Sequence, residues 1–128
     1  MENAQEQEQR KQQAAFWISY SEQLATAIRY AEALTAVERA IALDPANAHA
    51  WYARGTCQAM LAHYNEALAD FEQALARNPL YAPAWDGKAW VYGIMGKKDE
   101  ALTAVNKALE LDPEYFDAQK RKRRLEAM

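Results

Sequence analysis

The side chains able to do chemistry are few and poorly spaced for it. The 128-residue chain holds two histidines and one cysteine. His49 and His63 are well separated in the sequence and read as lying on different elements. No cysteine or acidic pair stands at ligand spacing from either, so no metal site is expected. Cys57 falls at a position that reads as small and buried, where a thiol is inert packing rather than a nucleophile. Being alone, it forms no internal disulfide, which fits a reducing compartment or a protein that needs no staple. There is no glycine-rich phosphate loop and no nucleophile elbow. The many carboxylates fall on outer helix faces and read as solvated surface. A non-catalytic chain without a cofactor is expected.

Charge is unevenly spread. The net value is −3, yet Lys120 to Arg124 (KRKRR) hold five of the 15 basic residues. Residues 1–119 carry 10 basic residues against 17 acidic ones, an acidic body before a basic tail. The run has two readings. It could contact nucleic acid, an anionic membrane or an acidic partner segment. The plainer reading is a solvated helix face, with cations favoured near a helix C-terminus, and no nucleic-acid partner is expected. The opening MENAQEQEQRKQQAA has no apolar core of signal-peptide length and precedes no long apolar run, so a cytoplasmic chain without a transmembrane segment is expected.

The elements that must position these residues recur in one register. Trp17, Trp51 and Trp85 are evenly spaced, and the same step separates Ala33, Ala67 and Ala101, then Ala40, Ala74 and Ala108, then Pro45, Pro79 and Pro113. A fixed period of this size is the signature of a stacked repeat. Within each unit, apolar residues at spacings of three and four describe two helices: Trp17, Tyr20, Leu24 and Ile28, then Leu34, Val37, Ala40 and Ile41, in the first. A residue before proline leaves the α region, which ends each second helix at Asp44, Asn78 or Asp112. Asn47 suits a helix N-cap, and Asn65 with Glu66 suits a helix start. The fold class is therefore all-α, a solenoid of three antiparallel helix–turn–helix repeats: 14–47, 48–81 and 82–113. Residues 1–13 read as a helical lead-in or a disordered arm. Residues 114–128 read as a basic capping helix over the last apolar face, where Gln119 replaces the tryptophan. Small residues (Ser21, Gly55 and Ala89) at the eighth position of each unit let paired helices approach closely.

This pattern resembles the tetratricopeptide repeat, whose consensus carries Trp, Leu, Gly and Tyr in the first helix, then Ala, Phe or Tyr, Ala and Pro. The match covers about residues 14–113. The consensus Leu is replaced by Tyr20, Arg54 and Lys88, and the loop Gly survives only as Gly96, with Ile28 and Ala62 in its place. The resemblance implies a right-handed superhelix whose first helices line a concave groove that binds a partner peptide. It implies groove positions at Ile18, Glu22, Tyr52, Thr56, Met60, Asp86, Gly87, Trp90 and Ile94, with Lys120, Arg121 and Arg124 added from the cap. Tyr52 and Trp90 are the most informative, since neither sits at a core landmark and both are hot-spot residue types; Trp90 also reads as core under the cap. Met60 and Ile94 read first as core, otherwise as adaptable apolar surface.

The expected function is a protein–protein adaptor that binds a peptide in this groove, with self-association through the solenoid ends, giving a homodimer, as the alternative. One subclass holds chaperone C-termini in a carboxylate clamp. The equivalent positions here are Ile18, Glu22, Ala53, Pro83 and Gly87, none of which matches, so this chain is expected not to be a clamp binder.

Overall fold

The computed structural model describes all 128 residues. It consists of seven helices: α1 (Ala4–Thr26), α2 (Tyr30–Leu43), α3 (Ala48–Met60), α4 (Tyr64–Arg77), α5 (Ala82–Ile94), α6 (Lys98–Leu111) and α7 (Phe116–Glu126). The polar lead-in is helical from Ala4 and continuous with α1. Asn3 caps it by accepting the Glu6 N–H at 2.8 Å, and the Asn3 amide donates back to the Glu6 carboxylate at 3.1 Å. Asn47 caps α3 through the Ala50 N–H. Helix α4 begins one residue before Asn65, with His63 at the cap and no side-chain bond there.

The helices pair as α1 with α2, α3 with α4, and α5 with α6. Helices α1, α3, α5 and α7 also touch in succession, whereas the Cα atoms of α2, α4 and α6 nowhere come within 8 Å of one another. One layer is closed and the other is splayed, so the stack curves with α1, α3, α5 and α7 on its inner side.

Small residues set how closely the layers meet. Ala33, Ala67 and Ala101 are fully buried, and so are Ala40, Ala74 and Ala108. A further triplet in the same register, Ala50, Ala84 and Ala118, is equally buried. The largest fully buried side chain is Phe71. A Cβ added at Gly55 would stand 2.7 Å from its ring, and one added at Gly87 also 2.7 Å. The tryptophans lie half-buried at the helix-pair edges, each under a cation: Arg39 over Trp17, Arg77 over Trp51 and Lys88 over Trp85, at 4.9, 4.6 and 4.5 Å. Trp51 donates its indole N–H to the Pro45 carbonyl at 2.9 Å. In the cap, Gln119 donates to the Pro113 carbonyl at 2.7 Å, so it supplies the tryptophan's hydrogen bond without its bulk.

Each helix pair turns through the same left-handed residue: Ile28 at φ 62°, Ala62 at 64° and Gly96 at 77°. In all three the following N–H bonds back five residues, to the carbonyls of Leu24, Gln58 and Tyr92, the helix-ending motif that glycine normally serves. A β-branched residue is costly there. Ile28 is also 74 % exposed, so its side chain recovers little by packing. Ile28→Gly is expected to raise unfolding stability by about 1 kcal/mol, read from denaturant titration; no gain would show that the turn is not strained.

Charged pairs lie between units. Lys88 reaches Glu72 of the preceding unit. Arg54 lies 3.9 Å from Glu38 of the preceding unit and 3.5 Å from Asp70 of its own, while Arg54 Nε and Asp70 Oδ2 are buried without a hydrogen bond. Burial pushes the Asp70 carboxyl up to about 6; Arg54 opposes this, and Glu38 and Glu66 add to it. A carboxyl that ionises less readily when folded favours the folded state while protonated, and that contribution is lost as pH rises through the folded value. The stability of wild type relative to Asp70→Asn is therefore expected to fall by on the order of 2 kcal/mol between about pH 4 and about pH 7. A difference independent of pH would remove Asp70 as the titrating group.

Candidate functional site

The inner layer presents side chains repeated at the period of the units. One row is Ile18, Tyr52, Asp86 and Lys120; a second is Glu22, Thr56, Trp90 and Arg124. Two of these residues are not free to meet a ligand. Ile18 is only 6 % exposed and packs with Ala14, Val37 and Ala50, because its neighbours on both flanks are alanines that let the chain close over it. Asp86 is 4 % exposed and accepts two bonds from the Arg121 guanidinium, at 2.7 and 3.1 Å. Asp86 and Arg121 thus join α5 to the cap. Gly87 is likewise buried, against Phe71. The Thr56 hydroxyl bonds within its own helix, to the Tyr52 carbonyl at 3.1 Å.

The remaining positions stand open. Met60 and Ile94 are 44 % and 49 % exposed, which corrects their reading as core. Tyr52 is half-buried, with its ring 5.7 Å from Tyr81, 5.8 Å from Phe71 and 6.0 Å from His49. Burial raises its phenol above the usual range. Burial, then the charges of Tyr52 and Glu22, push Tyr81 up to about 12, so Tyr81 keeps its proton. The Glu22 carboxylate can only accept, so His49 Nε2–H donates to it at 2.7 Å, while His49 Nδ1 and the Tyr81 hydroxyl share a hydrogen bond at 2.5 Å. This chain of bonds ties α1, α3 and the start of α5 together across the inner face. Sequence reasoning missed Tyr81 as an inner-face residue, although a tyrosine recurs one period on at Tyr115.

Two clefts open on this face. One of about 210 Å³ lies between α1 and α3, lined by Glu22, His49, Tyr52, Ala53 and Thr56, with Ser21 and Cys57 at its back. Burial pushes the Cys57 thiol up, which keeps it protonated. The other, about 190 Å³, lies between α5 and α7, with Ala89, Gly93 and Leu125 as its floor and Trp90, Ile94, Arg121 and Arg124 as its walls. Trp90 is half-buried there. Arg124 has no carboxylate partner, and Lys120 rests 5.1 Å from the Phe116 ring without one. The inner face therefore runs from an acid at Glu22 to unpaired cations on α7. No three His, Cys, Asp or Glu side chains converge as a metal site, and no helix is long and apolar enough to cross a membrane.

The Asp86–Arg121 pair can be tested directly. Arg121→Leu leaves a buried carboxylate unpaired and is expected to cost about 3–5 kcal/mol, while adding Asp86→Asn restores part of the loss. Denaturant titration reads both, and a loss unchanged in the double variant would mean that Arg121 acts through packing.

Comparison with known proteins adds to this geometry. No curated protein matches the sequence. Among solved structures, the first TPR of Spaghetti (RPAP3) bound to HSP90 peptide SRMEEVD superposes with a TM-score of 0.83 at 23 % identity, over 91 % of this chain and 93 % of that one. The Arabidopsis OM64 TPR domain gives 0.86 at 19 %, over 92 % and 98 %. The TPR2B domain of yeast Sti1 in its pHsp70 complex gives 0.83 at 20 %, over 91 % and 98 %. These neighbours overturn the expectation that this chain is not a carboxylate-clamp binder: domains of the same architecture hold HSP90 and HSP70 peptides. The exclusion weighed five fixed positions on α1, α3 and α5. It took no account of Lys120 and Arg124, which are cations on α7 without a carboxylate partner. Two tetratricopeptide-repeat models match the sequence, one over residues 23–87 and one over residues 82–115. With half its length inside the first model and its helical hairpins stacked at one fixed period, the chain belongs to the tetratricopeptide-repeat family.

Proposed function

We propose that the chain is a non-catalytic adaptor that binds an extended segment of a partner protein along its inner face, in a reducing compartment such as the cytoplasm. The observation that carries this reading is the pair of open clefts lined by the half-buried Tyr52 and Trp90, with exposed Met60 and Ile94 on the same helices. Tyr52, Met60, Trp90 and Ile94 supply apolar contact, since half-buried aromatics in concave sites are the usual anchors of binding energy. Thr56 borders the cleft between α1 and α3. Lys120 and Arg124 at one end and Glu22 at the other give the face a polarity that favours one direction of a peptide with an acidic end. Asp86 and Arg121 serve indirectly, by fixing the wall of the cleft that holds Trp90, and Ile18 serves as core between α1, α2 and α3. Peptide complexes of the neighbouring structures support the same use of the fold.

The test is fluorescence anisotropy with labelled SRMEEVD and SGPTIEEVD peptides, which the neighbouring domains hold. Saturable binding is expected, weakened by Trp90→Ala by about 2 kcal/mol, or about thirtyfold, with an unchanged circular dichroism spectrum. A folded variant that binds as well as wild type would remove Trp90 from the site. Absence of binding to either peptide would remove acidic C-terminal segments as ligands.

A further inference from the structure

Helix α1 carries a face that the rest of the molecule does not use. In the second and third units, the third and seventh positions of the first helix meet the unit before. Ala50 and Ala84 are fully buried there, Arg54 approaches Glu38, and Lys88 reaches Glu72. In the first unit the same positions are Phe16 and Tyr20, which are 62 % and 42 % exposed. Their rings stack at 6.4 Å with 15° between planes, and both lie edge-on to Trp17. The face extends along the whole helix. Gln5, Gln9, Gln12, Phe16, Tyr20 and Gln23 follow one another at spacings of three and four, which aligns them on one side, and all six are exposed. No charged residue interrupts this row, in a chain whose residues are 26 % charged; Glu6 and Glu8 flank it. At the opposite end of the solenoid, α7 closes the stack with its basic residues.

We propose that this row is a homodimer interface, with α1 of one copy packed antiparallel on α1 of a second copy. A second copy fits because the row is complementary to itself. A glutamine amide both donates and accepts, and an aromatic ring packs on its own kind, so a two-fold axis near Phe16 sets Phe16 on Phe16, Gln9 against Gln23 and Gln12 against Tyr20. A charged face would pair like with like and repel. Orientation follows from the flanks. Parallel pairing sets Glu6 and Glu8 against the same acids of the partner copy, whereas antiparallel pairing moves the two acidic ends apart and opposes the two helix dipoles. Helix α1 is about 34 Å long, and one helix pair of that length lies at the small end of specific interfaces, so the dimer forms and dissociates with concentration. The inference is independent of the inner-face reading, since the row lies outside both clefts.

Sedimentation velocity on the full chain, from low micromolar to about 1 mM, tests it. The sedimentation coefficient is expected to rise with concentration from a monomer to a dimer. Phe16→Glu is expected to weaken association at least tenfold. Tyr20→Arg, which gives the first unit the residue that the second already carries, is expected to do the same without loss of fold. Trp90→Ala is expected to leave the dimer unchanged, and Phe16→Glu to leave peptide binding unchanged. A wild-type chain that stays monomeric throughout overturns the proposal. So does a dimer indifferent to both α1 variants, since it then forms elsewhere on the molecule.

Discussion

The structure depends on one close contact, the Phe71 ring held between the backbones of α3 and α5. Gly55 and Gly87 bring those backbones so near that even a methyl group would press into the ring. The ring comes from α4, so a single side chain fixes the packing inside the second unit and its junction with the third. Its apolar area and dense packing drive this association. Tyr52 rests on the same ring at 5.8 Å, and so the inner face inherits its shape from the core directly beneath it. A larger residue at either glycine would move α3 or α5 and shift both clefts with it.

Around this centre, the units are held in register by charge as well as by shape. At the seventh position of the first helix, where an apolar residue is usual in the family, Arg54 and Lys88 stand instead, each facing an acid of the preceding unit. The Asp86–Arg121 pair does the same between the third unit and the cap. Such pairs contribute little net stability after desolvation. Their effect is to penalise any other stacking, because a shifted unit leaves a buried charge alone.

Much of this was legible in the sequence. Alanine, tryptophan and proline recurring in one register gave the number of units, the helices and the positions of close approach, because each residue type has a local physical reason to be where it is. What was not legible depends on contacts made across space. Ile28 reads as part of the apolar face of the first helix, yet it lies beyond α1, exposed, in the left-handed conformation of Ala62 and Gly96. Asp86 and Arg121 lie 35 residues apart, and nothing local says that each consumes the other. Gly87 read as a groove residue because its position in the unit was known and the ring beside it was not. The expectation of no carboxylate clamp was drawn from chosen side chains at five positions, and it is opposed by domains of the same fold that hold HSP90 and HSP70 peptides. The triplet Ala50, Ala84 and Ala118 was equally visible and simply passed over.

The separation of α2, α4 and α6 from one another has a mechanical consequence. Each back helix touches only its own partner and the first helix of the next unit, so adjoining units meet at the α2–α3, α4–α5 and α6–α7 junctions as well as along the inner layer, and any change of curvature acts there. Phe71 fills the second of these junctions, between α3, α4 and α5, so a change of curvature there reaches the packing inside the second unit as well.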